Sequence, residues 1–217
     1  CFIYMDYPQH FGVIVIGGGH AGTEAALASA RLGVPTLLLT HNIETLGQLS
    51  CNPAIGGPAA KSHLVREIDA LGGVMGLVID ASYLNIRMLN LSRGPSVHAL
   101  RAQADKRLYQ RVMKETLENQ PGLDIKQGMV TEILRDNGAV TGVRTKMGTT
   151  MAAPVVILCT GTFLDGYIVV GEIQYPGGRQ GEPSAMELSR DLKEAGIILQ
   201  RFQSATPPRL DARSIDL

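Results

Sequence analysis

The sequence predicts an α/β fold in which a parallel-sheet, nucleotide-binding unit carries an inserted β-meander and then begins a second domain. Three observations predict it. The apolar run Val13–Ile16 leads straight into the glycines of "GGGHAG" and an alanine-rich stretch. After residue 122 the apolar period changes from helical to two. A second apolar run, "PVVILCTG", again ends in a glycine.

Taken in order, residues 1–10 ("CFIYMDYPQH") read as a short N-terminal arm, with an apolar patch but no basic leader or cleavage site. Val13–Ile16 is too short for a helix and rich in β-branched residues, which fits a strand buried on both faces. The alanine-rich stretch ends at Gly33, a helix stop, and "VPTLLLT" (34–40) is a second strand, so the unit has the spacing of a parallel βαβ crossover. Residues 41–61 read as a long loop rich in Gly, Asn and Pro. From Ser62, a plausible N-cap, Leu64, Val65, Ile68 and Leu71 share a helical face that stops at Gly72–Gly73. Leu100, Ala104, Leu108 and Val112 recur in steps of four and predict a helix over 99–118, closed by Pro121–Gly122. "LDIKQGMV" (123–130) is strand-like, and the next segment reads as short antiparallel strands turning at Asn137–Gly138 and Met147–Gly148. "PVVIL" is a buried strand, and a helix is expected at 184–196. This order is the layout of a glutathione-reductase-like FAD-binding Rossmann domain, whereas a plain NAD dehydrogenase alternates strand and helix throughout. The domain runs over 11–165, and 166–217 starts a second domain, which the family resemblance given below implies to be an inserted substrate and NADH domain.

Composition bounds the function. At 217 residues, 45% of them apolar and 25 of them glycine, the chain suits one large domain, with or without an appendage. A formal net charge of zero gives no overall sign of nucleic acid or membrane. The three cysteines, Cys1, Cys51 and Cys159, are dispersed without a CxxC, which fits a reducing cytoplasm and no metal site. No apolar run approaches the roughly 18 residues of a membrane span.

In "GGGHAG", Gly17, Gly19 and Gly22 fit GxGxxG between a strand and a helix. Gly17 allows the tight turn, Gly19 the approach of the backbone to a diphosphate, and Gly22 close packing of helix on strand. The diphosphate then meets unpaired N–H groups at the helix N-terminus. At the end of the second strand, where a dinucleotide fold places its ribose-binding acid, stand Thr40, His41 and Asn42, and the first acid is Glu44. That departure weakens NAD as the resident of this loop more than FAD.

"SCNPAIGG" (50–57) is built from residues too small to bury much area. Cys51 precedes a glycine-rich loop carrying Lys61 and His63, and cations and helix N-termini favour the reactive thiolate. It is either a reactive thiol or a small packed hydrophobe lining a pocket. Cys159, inside "VVILCTG", reads as core and Cys1 as incidental. Between Arg87 and Lys114 stand seven basic residues (Arg87, Arg93, Arg101, Lys106, Arg107, Arg111, Lys114) against one acid, Asp105. They are a phosphate-attracting stretch or a solvated face.

"IGGGHAGTEAA", "TLLLTHNIETLGQLSCNPAIGG", "HLVREIDALGG", "RMLNLSRGPSV", "RAQADKRLYQ", "TGTFLDG" and "TPPRLDARSID" together closely resemble the MnmG (GidA) family, from about Phe11 to Leu217. Members are several hundred residues long, so the resemblance implies that this chain is an N-terminal portion. It implies an FAD-dependent enzyme that installs the carboxymethylaminomethyl group at C5 of the tRNA wobble uridine. NADH reduces the FAD, methylene-tetrahydrofolate supplies one carbon, a GTPase of the MnmE type is the partner, and the full-length form is a cytoplasmic homodimer. The family's FAD contacts carry over to Gly17, Gly18, Gly19, His20, Ala21, Gly22 and Val130, with a serine contact near Ser184, and Cys51 matches a cysteine implicated in catalysis. "RFQSATPPR" departs from the family's pattern at Gln203, Ser204 and Ala205, and "PAAKS" looks one residue longer than usual. The alternatives are a small-molecule flavin oxidoreductase of the same fold, or the related folate- and FAD-dependent tRNA uridine methyltransferase. A further alternative is a fragment that binds FAD and catalyses nothing alone.

Overall fold

The computed structural model describes residues 5–58, 60–204 and 210–216. Strand β1 (Met5–Asp6) is followed by β2 (Val13–Ile16), helix α1 (His20–Arg31) and β3 (Thr36–Thr40). Next come β4 (Ala54–Gly56), α2 (Lys61–Ala70), α3 (Met75–Asp80), β5 (Tyr83–Leu89), β6 (Ala99–Ala104) and α4 (Lys106–Glu118). Strands β7 (Leu123–Gln127), β8 (Val130–Asp136), β9 (Ala139–Thr145), β10 (Thr149–Ala152) and β11 (Val155–Leu158) lead to a hairpin of β12 (Tyr167–Val170) and β13 (Ile173–Pro176), and then to α5 (Met186–Glu194).

Four parallel strands in the order β11-β2-β3-β7 form the central sheet. Covered on both faces, β2 is apolar throughout and β3 at its three central leucines, with buried Thr36 and Thr40 at its ends. Val13, Val15 and Leu38 face α1 and α4, in a core with Leu27, Tyr109, Met113 and Leu117. Ile14, Ile16, Leu37 and Leu39 face the other way, against Val130, Ile133 and Val143 of the meander and Leu188 and Leu192 of α5. Thus α5, although it falls after residue 165, completes the core of the first unit. The meander pairs in the order β1-β10-β9-β8, and the Asn137–Gly138 turn (φ 48° and 83°) and the Gly148 turn (φ 83°) stand where the sequence puts them. The N-terminal arm is no loose appendage. Met5 and Asp6 pair with Thr149 and Thr150, and Phe11 N–H donates to the Ala152 carbonyl at 3.0 Å.

Several local expectations are corrected. The helix expected over 99–118 begins only at Lys106, and Ala99–Ala104 is the central strand of a three-stranded antiparallel sheet, β4-β6-β5. Asp105 divides them by accepting the Arg107 and Leu108 N–H groups at 2.9 and 3.0 Å. The buried stripe of α4 is therefore Tyr109, Met113 and Leu117, one position later than expected. Residues 41–61 are not all loop, since Ala54–Gly56 pairs with β6. Ser62 does not cap α2: the helix starts at Lys61, after Ala60 in the left-handed region (φ 70°), and Ser62 is buried within it, while Leu64 and Leu71 face outward. "LDIKQGMV" is two strands, because Gly128 turns back to donate to the Thr40 carbonyl at 2.8 Å before β8 begins. Strand β11 is also less buried than expected, since it lies at the sheet edge with Val155 and Leu158 over 40% exposed.

The cap at Asp105 allows a direct test. Asp105→Ala should destabilise the protein by about 1 kcal/mol, seen as a lower urea midpoint at unchanged slope. Asp105→Asn, which keeps an acceptor, should lose little. Equal midpoints for Ala and wild type would mean that the cap does not set the boundary of α4.

Candidate functional site

The carboxyl ends of the central strands gather the predicted residues. The chain moves from β2 to β3 and β7 in one direction, while β11 lies on the other side of β2, so the strand order reverses between β2 and β11. Open α/β sheets bind ligands at that point. Here Gly17 adopts φ 111°, and a Cβ on it would stand 2.3 Å from the Cys159 carbonyl oxygen. A Cβ on Gly22 would stand 1.7 Å from the Gly17 carbonyl oxygen. Both glycines are needed for the turn to close on itself, the strand before it and the helix after it.

Gly19 behaves differently. It precedes α1 in an extended conformation, offers no side-chain cap to the helix, and a Cβ there would meet nothing within 4 Å. Uncapped N–H groups at the start of α1 thus face open space, the arrangement that suits an anion. His20 is the first residue of α1; burial lowers its pKa, and its Nδ1 has no partner among the described residues. Its ring meets Tyr109 edge-on at 6.3 Å, and the Tyr109 hydroxyl is likewise unpaired among the described residues. Ala21 follows His20 in the first turn of α1. The loop has the shape and polarity for a dinucleotide's diphosphate, and the donors are backbone N–H groups.

Gly18 has a separate task. A Cβ on it would approach Leu46 Cδ2 at 2.5 Å and Thr40 Oγ1 at 2.8 Å, and its carbonyl accepts the Gly47 N–H at 2.9 Å. The loop that carries Cys51 is therefore docked on the phosphate loop. Leu46 and Leu49 anchor it in the core, and Gly47 (φ 61°) packs where a Cβ would stand 2.6 Å from Met113 of α4. A third support was not visible in the sequence: Arg179 donates to Gln48 Oε1 at 2.6 Å, Thr45 Oγ1 at 3.2 Å and Glu182 Oε2 at 2.8 Å. Its guanidinium lies 5.2 Å from the Phe163 ring centroid, and His41 meets that ring edge-on at 5.0 Å. Burial is the main cause lowering the His41 pKa, with Glu182 opposing and Arg179 assisting. The place of the missing ribose acid is thus taken by a neutral imidazole within an arginine-centred cluster. Spacing gives no signal for it, because its members come from segments far apart in the chain.

Cys51 is half-buried immediately before β4, whose start is fixed by Ala104 N–H donating to the Pro53 carbonyl at 2.8 Å. Cys159 packs against the core beside Gly22, and burial pushes its thiol pKa up, as a core cysteine requires. Val130 is buried at the start of β8, just past the Gly128–Thr40 contact. Ser184 donates to the Phe163 carbonyl at 3.2 Å, which ties it to the loop after β11. Of the carried-over residues, Gly17, Gly18 and Gly19 lie in the loop after β2, His20, Ala21 and Gly22 in the first turn of α1, Val130 at the start of β8 and Ser184 in the segment before α5. Lys61 and His63 lie at the start of α2, and the His63 Nδ1 is buried without a partner among the described residues. Gln203 and Ser204 are exposed, whereas Ala205 and Cys1 lie outside the described residues. Of the basic stretch, Lys114 pairs with Glu44 at 2.7 Å and Arg111 with Glu115 at 3.9 Å. No group of metal-ligating side chains occurs among the described residues, and none of their helices is long and apolar enough to cross a membrane.

Comparison with known proteins agrees with this architecture. A family described as "Glucose inhibited division protein A" matches residues 12–217. GidA of Aquifex aeolicus, in two crystal forms, is 49% and 50% identical over 99% and 96% of this chain, with TM-scores of 0.91 and 0.89. The chain spans only 36% and 34% of those proteins. A GidA-related protein from Thermus thermophilus is 22% identical over 86% of this chain and 68% of its own, with a TM-score of 0.62. At the level of fold alone, PqsL from Pseudomonas aeruginosa, a probable FAD-dependent monooxygenase, matches 68% of this chain and 42% of its own at 15% identity and a TM-score of 0.50.

Two glycines should separate binding from folding. Gly19→Val should leave the thermal midpoint of the flavin-free protein unchanged and abolish FAD uptake, because the side chain enters only the space before α1. Gly22→Val should lose soluble folded protein altogether. Full FAD retention by Gly19→Val, measured as flavin released by acid, would remove the diphosphate from this loop.

Proposed function

The chain belongs to the glucose inhibited division protein A (GidA) family, and on that premise we propose that it is the FAD-binding part of a tRNA-modifying flavoenzyme. In this reading the enzyme installs the carboxymethylaminomethyl group at C5 of the wobble uridine, with NADH as reductant, methylene-tetrahydrofolate as source of the carbon joined to C5 and glycine as source of the amine. The full-length protein is a homodimer that works with an MnmE-type GTPase. The observation that carries the reading is the hydrogen bond from Gly47 N–H to the Gly18 carbonyl, which fastens the cysteine loop to the phosphate loop.

Gly17, Gly18, Gly19, His20, Ala21 and Gly22 hold the FAD diphosphate, with Val130 and Ser184 as further contacts. When bound, FAD supplies the electron-transfer chemistry. The chain's own contribution is the thiol of Cys51. A thiolate adds to C6 of the uracil ring, the electron pair of the C5–C6 double bond moves toward the C4 carbonyl oxygen, and C5 becomes the nucleophile. After the new bond forms at C5, loss of the C5 proton expels the thiolate and restores the ring. The supports at Gly18, Met113 and Arg179 hold the segment leading to Cys51 in place.

Cys51→Ser in the full-length protein should keep FAD content and thermal midpoint near wild type, preserve NADH oxidation, and lower uridine modification by at least about a hundredfold. A hydroxyl is much less acidic and less nucleophilic than a thiol at nearly equal volume. Near-normal modification with normal FAD would make Cys51 a lining residue and favour a small-molecule flavin oxidoreductase. Loss of FAD and stability together would make the loop structural.

A further inference from the structure

We propose that the outer face of the β4-β6-β5 sheet holds a phosphodiester group of the RNA substrate between Arg87 and Arg101. The identity of the ligand as RNA rests on the functional reading above; the oxyanion site itself rests on the geometry alone. Arg87 of β5 and Arg101 of β6 are directly opposed in the antiparallel register, which sets their Cβ atoms about 5 Å apart. Like charges directly opposite each other across a strand pair are destabilising. Neither guanidinium makes an ion pair or hydrogen bond with any described residue. The surface depression they share, about 270 Å³, is lined by Asn85, Arg87, Leu89, Arg101 and Gln103 and by no acid. Its charged and amide side chains include N–H donors able to meet an oxyanion, and Arg presents its donors as a planar fork.

The register explains why the depression is open. On the other side of β6, Arg101 faces Gly56 and Gln103 faces Ala54, so β4 raises no bulk beside them. A Cβ on Gly57 would lie 3.7 Å from Arg101 Nη1, so the guanidinium reaches over the glycines of "SCNPAIGG". Gly56 at φ 79° and Gly57 at φ 113° make that close passage possible. From Cys51 to Gly56 the chain spans at most about 18 Å when fully extended, so one RNA loop can meet both the thiol and the arginines.

A phosphodiester fits better than an isolated carboxylate because the positive charge continues along the strand direction. Arg93 follows β5 beyond one end of the sheet, while Lys106 and Arg107 follow β6 beyond the other. None of the three side chains has an ion pair among the described residues. The pairs at Lys114 and Arg111 remove those two residues from the track, which sequence alone does not separate from the rest.

The test compares the full-length protein with its Arg87→Gln, Arg101→Gln and doubly substituted variants. In chloride, the double variant should match or exceed the parent's thermal midpoint, because a repulsion is removed, and it should keep its FAD. Inorganic phosphate at matched ionic strength should raise the midpoint of the parent and not that of the double variant. Binding of unmodified tRNA should weaken in the double variant, and its log K against log salt slope should flatten by about 0.7 for one lost phosphate contact. Arg87→Gln alone, at an exposed position, should show the same direction if the double variant folds poorly. Unchanged tRNA affinity and slope overturn the proposal, as does a lower midpoint with lost FAD in chloride. Stabilisation by oligoglutamate but not by phosphate or tRNA makes the site a carboxylate site and overturns it too. A parent that binds no tRNA, with phosphate stabilisation intact and Arg-dependent, sinks the tRNA reading while the oxyanion site stands.

Discussion

The contact on which the rest depends is the approach of Gly22 to the carbonyl of Gly17, with Gly17 itself pressed on the carbonyl of Cys159. It brings the end of β2, the start of α1 and the end of β11 into one closed turn, at distances that leave no room for a Cβ. The Cys159 N–H donates to the Ile16 carbonyl at 2.8 Å, and the Gly17 N–H to that of Leu39, also at 2.8 Å. The turn is therefore bonded to strands on both sides. Its position fixes where α1 begins, and hence where the uncapped N–H groups point.

That turn also decides how an anion can be held. His20 stands at the N-terminus of α1, where burial opposes its protonation. A neutral imidazole adds no net charge, so the attraction at this end comes from backbone dipoles that are fixed before a ligand arrives. His41 repeats the pattern at the end of β3, lowered mainly by burial. The positive charge of this edge is concentrated in Arg179, and that charge is spent internally on Glu182, Gln48 and Thr45. Arg87 and Arg101, by contrast, have no ion pair among the described residues.

Much of this was legible because it is local. Val13–Ile16 followed by glycine and alanine has one compact solution, and Asn137–Gly138 specifies its own turn. The failures arise where partners are distant. "ALRAQA" alternates, but Leu100 and Ala104 also fit a helical step, and only pairing with β4 and β5 decides for a strand. The one local clue was Asp105, an acid placed to cap α4, which the helical count passed over. "AIG" would not be a strand alone; β6 supplies the pairing on one side that makes it an edge. At the site, the roles of Gly17, Gly19 and Gly22 follow from the motif, whereas the docking role of Gly18 needs Leu46 in space. The Arg179 cluster joins segments over a hundred residues apart and leaves no periodic trace.

The glycines of "SCNPAIGG" show why composition alone misleads about such a segment. They read as part of a long loop, yet Gly56 sits where a Cβ would be 2.3 Å from the Leu100 carbonyl oxygen, and the Gly57 N–H donates to that same oxygen at 2.9 Å. Both have positive φ, a region that side chains other than glycine enter at a cost. Their small size thus serves close packing rather than mobility. It lets β4 lie tightly on β6 and leaves the face over Arg101 bare.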